Sequence, residues 1–157
     1  MPNTYTQIYI QVVFATKGRD IKIGSDARNE IEKYICGIFT AKRQKVLAIY
    51  ANPDHIHIFF SYKNLQITIP ELMKTVKIES TNFINERKLC FGKFSWQEGY
   101  GAFSYAKSQK DKVVNYVLNQ EKHHLKKSFK EEYLEMLEAF EIEFKKEYLF
   151  EFYDEKR

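Results

Sequence analysis

Residues 4–15 alternate in character: Ile8, Ile10, Val12 and Phe14 share one side, Gln7, Tyr9, Gln11 and Val13 the other. This period of two predicts a strand with one buried side and one partly polar side. The period then lengthens. Ser25 or Asp26 can cap a helix running to about Ala41, with Ile31, Tyr34, Ile35 and Ile38 on its apolar stripe. Residues 45–51 (KVLAIYA) and 55–62 (HIHIFFSY) read as a hairpin of two strands around an Asn52-Pro53-Asp54 turn. A second helix starts at Thr68 or Ile69, with Pro70 in the first turn, where a missing N–H does no harm. Leu72, Met73, Val76, Phe83 and Ile84 form its apolar side. Residues 94–106 predict a short strand after a Gly99-Tyr100-Gly101 turn. Ser108 with Asp111 resembles a capping box that opens a helix through about His124. A last amphipathic helix covers 129–145, with Tyr133, Leu134, Leu137 and Phe140 or Phe144 inward. The order is β-α-β-β-α-β-α-α. Its first six elements predict an α+β, ferredoxin-like (RRM-like) fold: an antiparallel sheet with helices on one face, followed by a C-terminal helix and an extra amphipathic helix.

Composition narrows the class without choosing a function. A length of 157 residues suits a single domain, 1–157, with a core over about 4–125 and an acidic helix and tail over about 128–157. Hydrophobic residues at 44% and charged residues at 29% fit a folded globular chain and argue against disorder or a fibre. No apolar run reaches the ~18 residues of a membrane span, and the Met1-Pro2-Asn3-Thr4 start is unlike a signal peptide. Cys36 and Cys90 form no disulfide framework, so a cytoplasmic setting is expected, with the two thiols as small buried residues. The net charge of +4 is unevenly spread. Residues 1–127 carry 20 basic and 11 acidic side chains (+9), and residues 128–157 carry 5 and 10 (−5). A basic body suits a polyanion. The 25 aromatic residues exceed what a small core needs, and some could stack on bases.

The candidate chemistry starts at His55-Ile56-His57. On a strand the two imidazoles share a face, ~6.5–7 Å apart, close enough to converge on one ion, while Ile56, Ile58 and Phe60 face the helices. Two ligands make no stable site, so a third ligand and a reacting group are required. The predicted helix at 108–124 offers both. With 100° per residue, Tyr116 lies within about 40° of Lys112 and Gln120, on the side away from Val113, Val114 and Val117. One helical face therefore presents a phenol and an amide oxygen together.

His55-Ile56-His57 reads as an HUH motif, and Tyr116-Val117-Leu118-Asn119-Gln120, about sixty residues on, as a Y-x-x-x-Q helix. With Phe14-Ala15-Thr16-Lys17, the run Trp96 to Ser104 and the run Asn119 to His124, the chain resembles the single-tyrosine HUH transposases of bacterial insertion sequences, which move DNA as single strands. The resemblance covers residues 4 to about 150. It implies a transposase that cleaves and rejoins single-stranded DNA at element ends through a 5′-phosphotyrosine, with Tyr116 as nucleophile and His55, His57 and Gln120 as metal ligands. The implied cofactor is a divalent ion, Mg²⁺ or Mn²⁺. The implied partners are single-stranded DNA with a hairpin at the element ends and a second copy of the chain, with the active site possible in trans. A nucleoid-associated bacterial setting follows when it is bound to DNA. Lys74, Lys77, Lys107, Lys110 and Lys112 are candidate backbone contacts.

Other features carry less. Gly99-Tyr100-Gly101 lacks the Lys-Ser/Thr of a phosphate loop. His123 shares the Tyr116 face, and Glu131, Glu132, Glu135, Glu138, Glu141 and Glu143 read as a solvated helix face. The alternatives are a domesticated host DNA-processing relative and a non-catalytic single-stranded nucleic-acid-binding module, which would not need His55, His57 and Tyr116 together. A two-histidine phosphoesterase would require a second HxT or HxS motif, and the sequence has none.

Overall fold

Each strand of the chain finds its partners through the alternation that marked it. The computed structural model describes residues 3–153; Met1, Pro2 and residues 154–157, the ends of the expected domain, lie outside the described residues. The strands are β1 (Tyr9–Ala15), β2 (Lys45–Ala51), β3 (His55–Ser61) and β4 (Gly101–Tyr105), and the helices are α1 (Ser25–Ala41), α2 (Ile69–Glu86), α3 (Lys110–Leu118), α4 (Gln120–His124) and α5 (Phe129–Ala139). The sheet is antiparallel with the order β2-β3-β1-β4, the ferredoxin-like arrangement that the element order predicts. The capping box at Thr68 and Glu71 and the early Pro70 set the start of α2 as expected. At α1 the cap is Gly24, with no side-chain hydrogen bond, rather than Ser25 or Asp26.

The register places Phe14 opposite Ile56, Val12 opposite Ile58 and Ile10 opposite Phe60. This face packs on α1 and α2, with Phe39 edge-on to Phe60 and Phe14 against Trp96, whose Nε1 donates to Ser80 on α2. The opposite face holds Gln11, Val13, His57 and Phe59, and it is buried as well. Val113 and Val117 of α3 pack there on Tyr9, Ala48 and Phe59. All seven residues of β1 are therefore buried, so the expected partly polar side is covered by the C-terminal helices. Residues 4–8 lie outside β1, although the Ile8 carbonyl still accepts the Tyr62 N–H, and β1 is shorter than its alternation suggests.

Three further expectations change. The single helix over 108–124 is two, because α3 ends at Leu118 and the chain turns at Asn119 (φ −102°, ψ 26°) before α4. α3 follows a 3-10 turn over Lys107–Gln109, where Gln109 Oε1 accepts the Ala106 N–H, and it starts with no side-chain cap rather than at a Ser108 cap. The last helix stops at Ala139, because Glu141 takes a left-handed φ of 55°. Tyr133 and Leu137 are buried, while Phe140 and Phe144 are exposed. Cys36 and Cys90 are half-buried free thiols rather than core residues. Among the described residues no helix is long and apolar enough to cross a membrane.

Bare backbone at Gly101 lets α5 approach β4. A Cβ there would stand 2.7 Å from the Tyr133 hydroxyl oxygen and 2.9 Å from the Phe103 ring. Gly101→Ala is expected to cost about 1–3 kcal/mol, the usual range for overpacking. Chemical denaturation measures the loss, and faster amide exchange in α5 than in α1 locates it.

Candidate active site

The β2–β3 turn and the first residues of β3 set the floor of the site. His55 and His57 project from β3 beneath the C-terminal helices and are 1% and 0% exposed. Their ring centroids are 5.1 Å apart. Phe129 lies flat on the His55 ring at 3.8 Å, so the start of α5 forms the roof. Ser128 caps that helix by accepting the Glu131 N–H.

Each imidazole is held through its Nδ1. Oxygen acceptors at these nitrogens make Nδ1 the donor in all three rings. His55 donates to Asp54 Oδ1 at 2.7 Å, His57 to Gln11 Oε1 at 2.7 Å, and His124 to the Lys127 carbonyl at 2.8 Å. The three Nε2 atoms then converge on one carboxylate oxygen: Glu132 Oε1 lies 3.3 Å from His55, 3.1 Å from His57 and 3.1 Å from His124. Glu132 Oε2 faces the other way. It accepts the Tyr116 hydroxyl in a short hydrogen bond and the Gln120 Nε2 at 3.0 Å. Asn52 Nδ2 donates to both Gln120 Oε1 and His55 Nε2, each at 3.1 Å.

The electrostatics follow from burial and from this one carboxylate. Burial favours neutral His55, but the Asp54 and Glu132 carboxylates outweigh it and hold the ring up to about 9. Burial prevails at His57, which stays below the usual histidine range. Burial alone would raise Glu132, yet His57 and the hydrogen bonds from the surrounding imidazoles keep it far below the carboxylate range. Tyr116 is raised well above an ordinary phenol, first by burial and then by the Glu132 charge. In this arrangement the Tyr116 proton stays on its oxygen and points at Glu132.

His55, His57, Tyr116 and Gln120 thus meet within one chain, although they come from a strand and two helices. The candidate lysines do not form one surface. Lys107, Lys110 and Lys112 lie at or next to the start of α3, on the site's face of the sheet. Lys74 and Lys77 are on α2, across the sheet, and Lys77 Nζ donates to the Gln97 and Gly99 carbonyls. Two other site residues escape a motif reading. Glu132 is 2% exposed at the centre of the cluster, so the expectation of a wholly solvated acidic face fails there and holds for Glu131, Glu135, Glu138, Glu141 and Glu143. His124, rather than His123, reaches Oε1; His123 Nε2 lies 3.6 Å from Oε2 and its ring 5.0 Å from that of Tyr116. A signal for Glu132 was present, since it shares the helical stripe of Phe129, Tyr133 and Leu137.

The donor chemistry fits a cation. The ligand atoms of His55, His57, His124 and Glu132 all lie within 4.8 Å of one another. Donors about 2.0–2.1 Å from a tetrahedral ion stand roughly 3.4 Å apart, so the cluster is close to the spacing that an ion requires.

No curated protein matches the sequence. Among solved structures, a candidate transposase from Deinococcus radiodurans R1 superposes with a TM-score of 0.58 at 18% identity, covering 75% of this chain and 94% of that one. A REP-associated tyrosine transposase bound to a REP hairpin superposes with a TM-score of 0.59 at 11% identity, covering 78% and 72%. At such identities the likeness is one of fold. The sequence itself matches the family described as transposase, IS200-like, over residues 4–120. That span runs from the lead into β1 through both the histidine pair and the tyrosine helix, well over half of the chain, and so the chain belongs to the IS200-like transposase family.

Proposed function

We propose that this chain cleaves and rejoins single-stranded DNA through a phosphotyrosine at Tyr116, with His55, His57 and Gln120 holding a divalent ion. One observation carries the reading: the Tyr116 hydroxyl and the paired imidazoles address the two oxygens of a single buried carboxylate. Tyr116 Oη attacks the scissile phosphorus and forms a Tyr–O–P ester to the 5′ side, while the P–O3′ bond breaks. The phenolic proton passes to Glu132 Oε2, its present acceptor, and from there to the departing 3′ oxygen, which leaves as a hydroxyl. In rejoining, a 3′-hydroxyl attacks the same phosphorus and the tyrosine leaves with its proton restored, so no nucleotide is consumed. A bound divalent ion supplies polarisation of a non-bridging phosphate oxygen.

The phosphate reaches Tyr116 from an open groove lined by Lys112, Asn115, Asn119, Lys122, His123 and Lys126. This lining has no carboxylate, so it attracts a polyanion along the side of Tyr116 away from the sheet. The solved relative bound to a hairpin favours a folded-back single strand as the substrate, and a homodimer is part of the proposal. Because His55, His57, Tyr116 and Gln120 meet in one protomer, each copy can act with its own tyrosine.

The test incubates the chain with labelled single-stranded hairpin DNA and Mn²⁺ and isolates protein under denaturing conditions. A covalent adduct whose nucleotide maps by peptide mass spectrometry to Tyr116 is expected. Tight DNA binding with no adduct in Mn²⁺ or Mg²⁺ would overturn the reading in favour of a binding module.

A further inference from the structure

Three imidazoles share a feature that the histidine pair and the tyrosine motif do not explain. Each has an oxygen acceptor at both ring nitrogens: Asp54 and Glu132 for His55, Gln11 and Glu132 for His57, the Lys127 carbonyl and Glu132 for His124. His57 and His124, so placed, are satisfied only as the doubly protonated cation or with a metal ion on one nitrogen, whereas His55 Nε2 also has the Asn52 amide N–H beside it at 3.1 Å. Imidazolium rings packed this closely, with centroids 5.1 Å apart for His55–His57 and 4.8 Å for His55–His124, would repel one another in a largely buried site. One dication facing the three Nε2 atoms and Glu132 Oε1 replaces several protons and removes that repulsion. The Nδ1 hydrogen bonds to a carboxylate, an amide oxygen and a backbone carbonyl are the outer contacts that orient metal-binding histidines.

From this we infer that His124 and Glu132 are metal ligands alongside the proposed His55, His57 and Gln120, giving a centre dominated by three imidazoles and one carboxylate that takes a first-row transition ion in preference to Mg²⁺. Both added residues lie beyond residues 4–120, the span that matches the family. Nitrogen-rich coordination suits Mn²⁺, Co²⁺ or Zn²⁺, whereas Mg²⁺ prefers carboxylate, phosphate and water oxygens. Glu132 then links two tasks, with Oε1 toward the ion and Oε2 positioning the Tyr116 hydroxyl. The inference rests on the proposed metal-dependent reading and adds to it ligand roles for His124 and Glu132 that the reading does not assign.

The experiment titrates Mn²⁺ into the chain, reads free Mn²⁺ by electron paramagnetic resonance, and repeats the titration against competing Mg²⁺. The variants are His124→Ala, Glu132→Gln and His55→Ala. Circular dichroism checks that each folds; the His124 side chain is 16% exposed and Glu132→Gln keeps side-chain shape. The expected result is one Mn²⁺ per chain, held on the order of 100-fold more tightly than Mg²⁺. His124→Ala and Glu132→Gln should each weaken Mn²⁺ by about 10–100-fold. They should also lose much of the rise in melting temperature that Mn²⁺ gives the parent chain. Unchanged Mn²⁺ affinity in both variants, with loss in His55→Ala, overturns the inference and leaves the proposed function standing. Equal affinity for Mg²⁺ and Mn²⁺ overturns the metal preference. No Mn²⁺ binding by the parent chain, or full binding by His55→Ala, removes the metal centre and the proposed reading with it.

Discussion

Tyr116→Phe is expected to abolish the covalent DNA adduct, by roughly 10³-fold or more, while binding and folding are retained. The ring keeps its edge-on contact with His57 at 5.8 Å. Only the hydroxyl and its hydrogen bond to Glu132 are lost, at a cost to stability of about 0.5–1.5 kcal/mol. The groove lysines Lys112, Lys122 and Lys126 are untouched, so fluorescence anisotropy should report an unchanged affinity for single-stranded DNA. The loss is chemical: without its hydroxyl the ring has no oxygen with which to form the ester. A denaturing gel with labelled DNA reads the result. An adduct at parent level would move the nucleophile to another side chain and undo the proton path through Glu132.

Phe129→Ala should give the largest loss of stability, about 3–5 kcal/mol for a buried aromatic truncated to alanine. Phe129 is 1% exposed. It stacks on His55, meets Tyr133, Phe150 and Phe152, and so joins the roof of the site to the chain's last described residues. In a chain of this length the cost corresponds to a melting temperature lower by roughly 6–20 °C. The defect should be directional. With the roof gone, α5 loosens from the sheet, Glu132 leaves the imidazoles, and amide exchange rises in residues 129–139 before it rises in β1 or β3. A melting temperature within about 2 °C of the parent chain, with α5 protection intact, would mean that the helix is held elsewhere.

Much of the fold was legible because local signals and tertiary packing agree in the first hundred residues. The reciprocal capping box of Thr68 and Glu71 and the early Pro70 specify one helix start with two independent devices, and β3 alternates Ile56, Ile58 and Phe60 against His55, His57 and Phe59. The C-terminal third was harder to read. The break at Asn119 leaves no Gly or Pro in the sequence, and a helical wheel drawn straight through it still puts Tyr116 and Gln120 together, as the structure does. The site was half legible for a related reason. Motif spacing locates residues that are functional in isolation, whereas Glu132 acquires its place only when Phe129 and Tyr133 carry the same stripe into the core. A glutamate in an acidic run looks solvated until the covering of the sheet's second face is known. Gln11, Asn52 and Asp54 were hidden by the same fact, since each is an ordinary polar residue until a buried imidazole or the Gln120 amide needs a partner.

The helix that roofs the site begins at Phe129, after the family-matching stretch has ended at residue 120. A decayed genomic copy with a stop codon in between would keep the paired histidines, the tyrosine and the glutamine, and would be counted as intact by any motif census. It would encode a protein with an uncovered His55 ring and no Glu132. Under the proposed function, the reading frame beyond the recognised signature is the better marker of a copy that keeps a complete site.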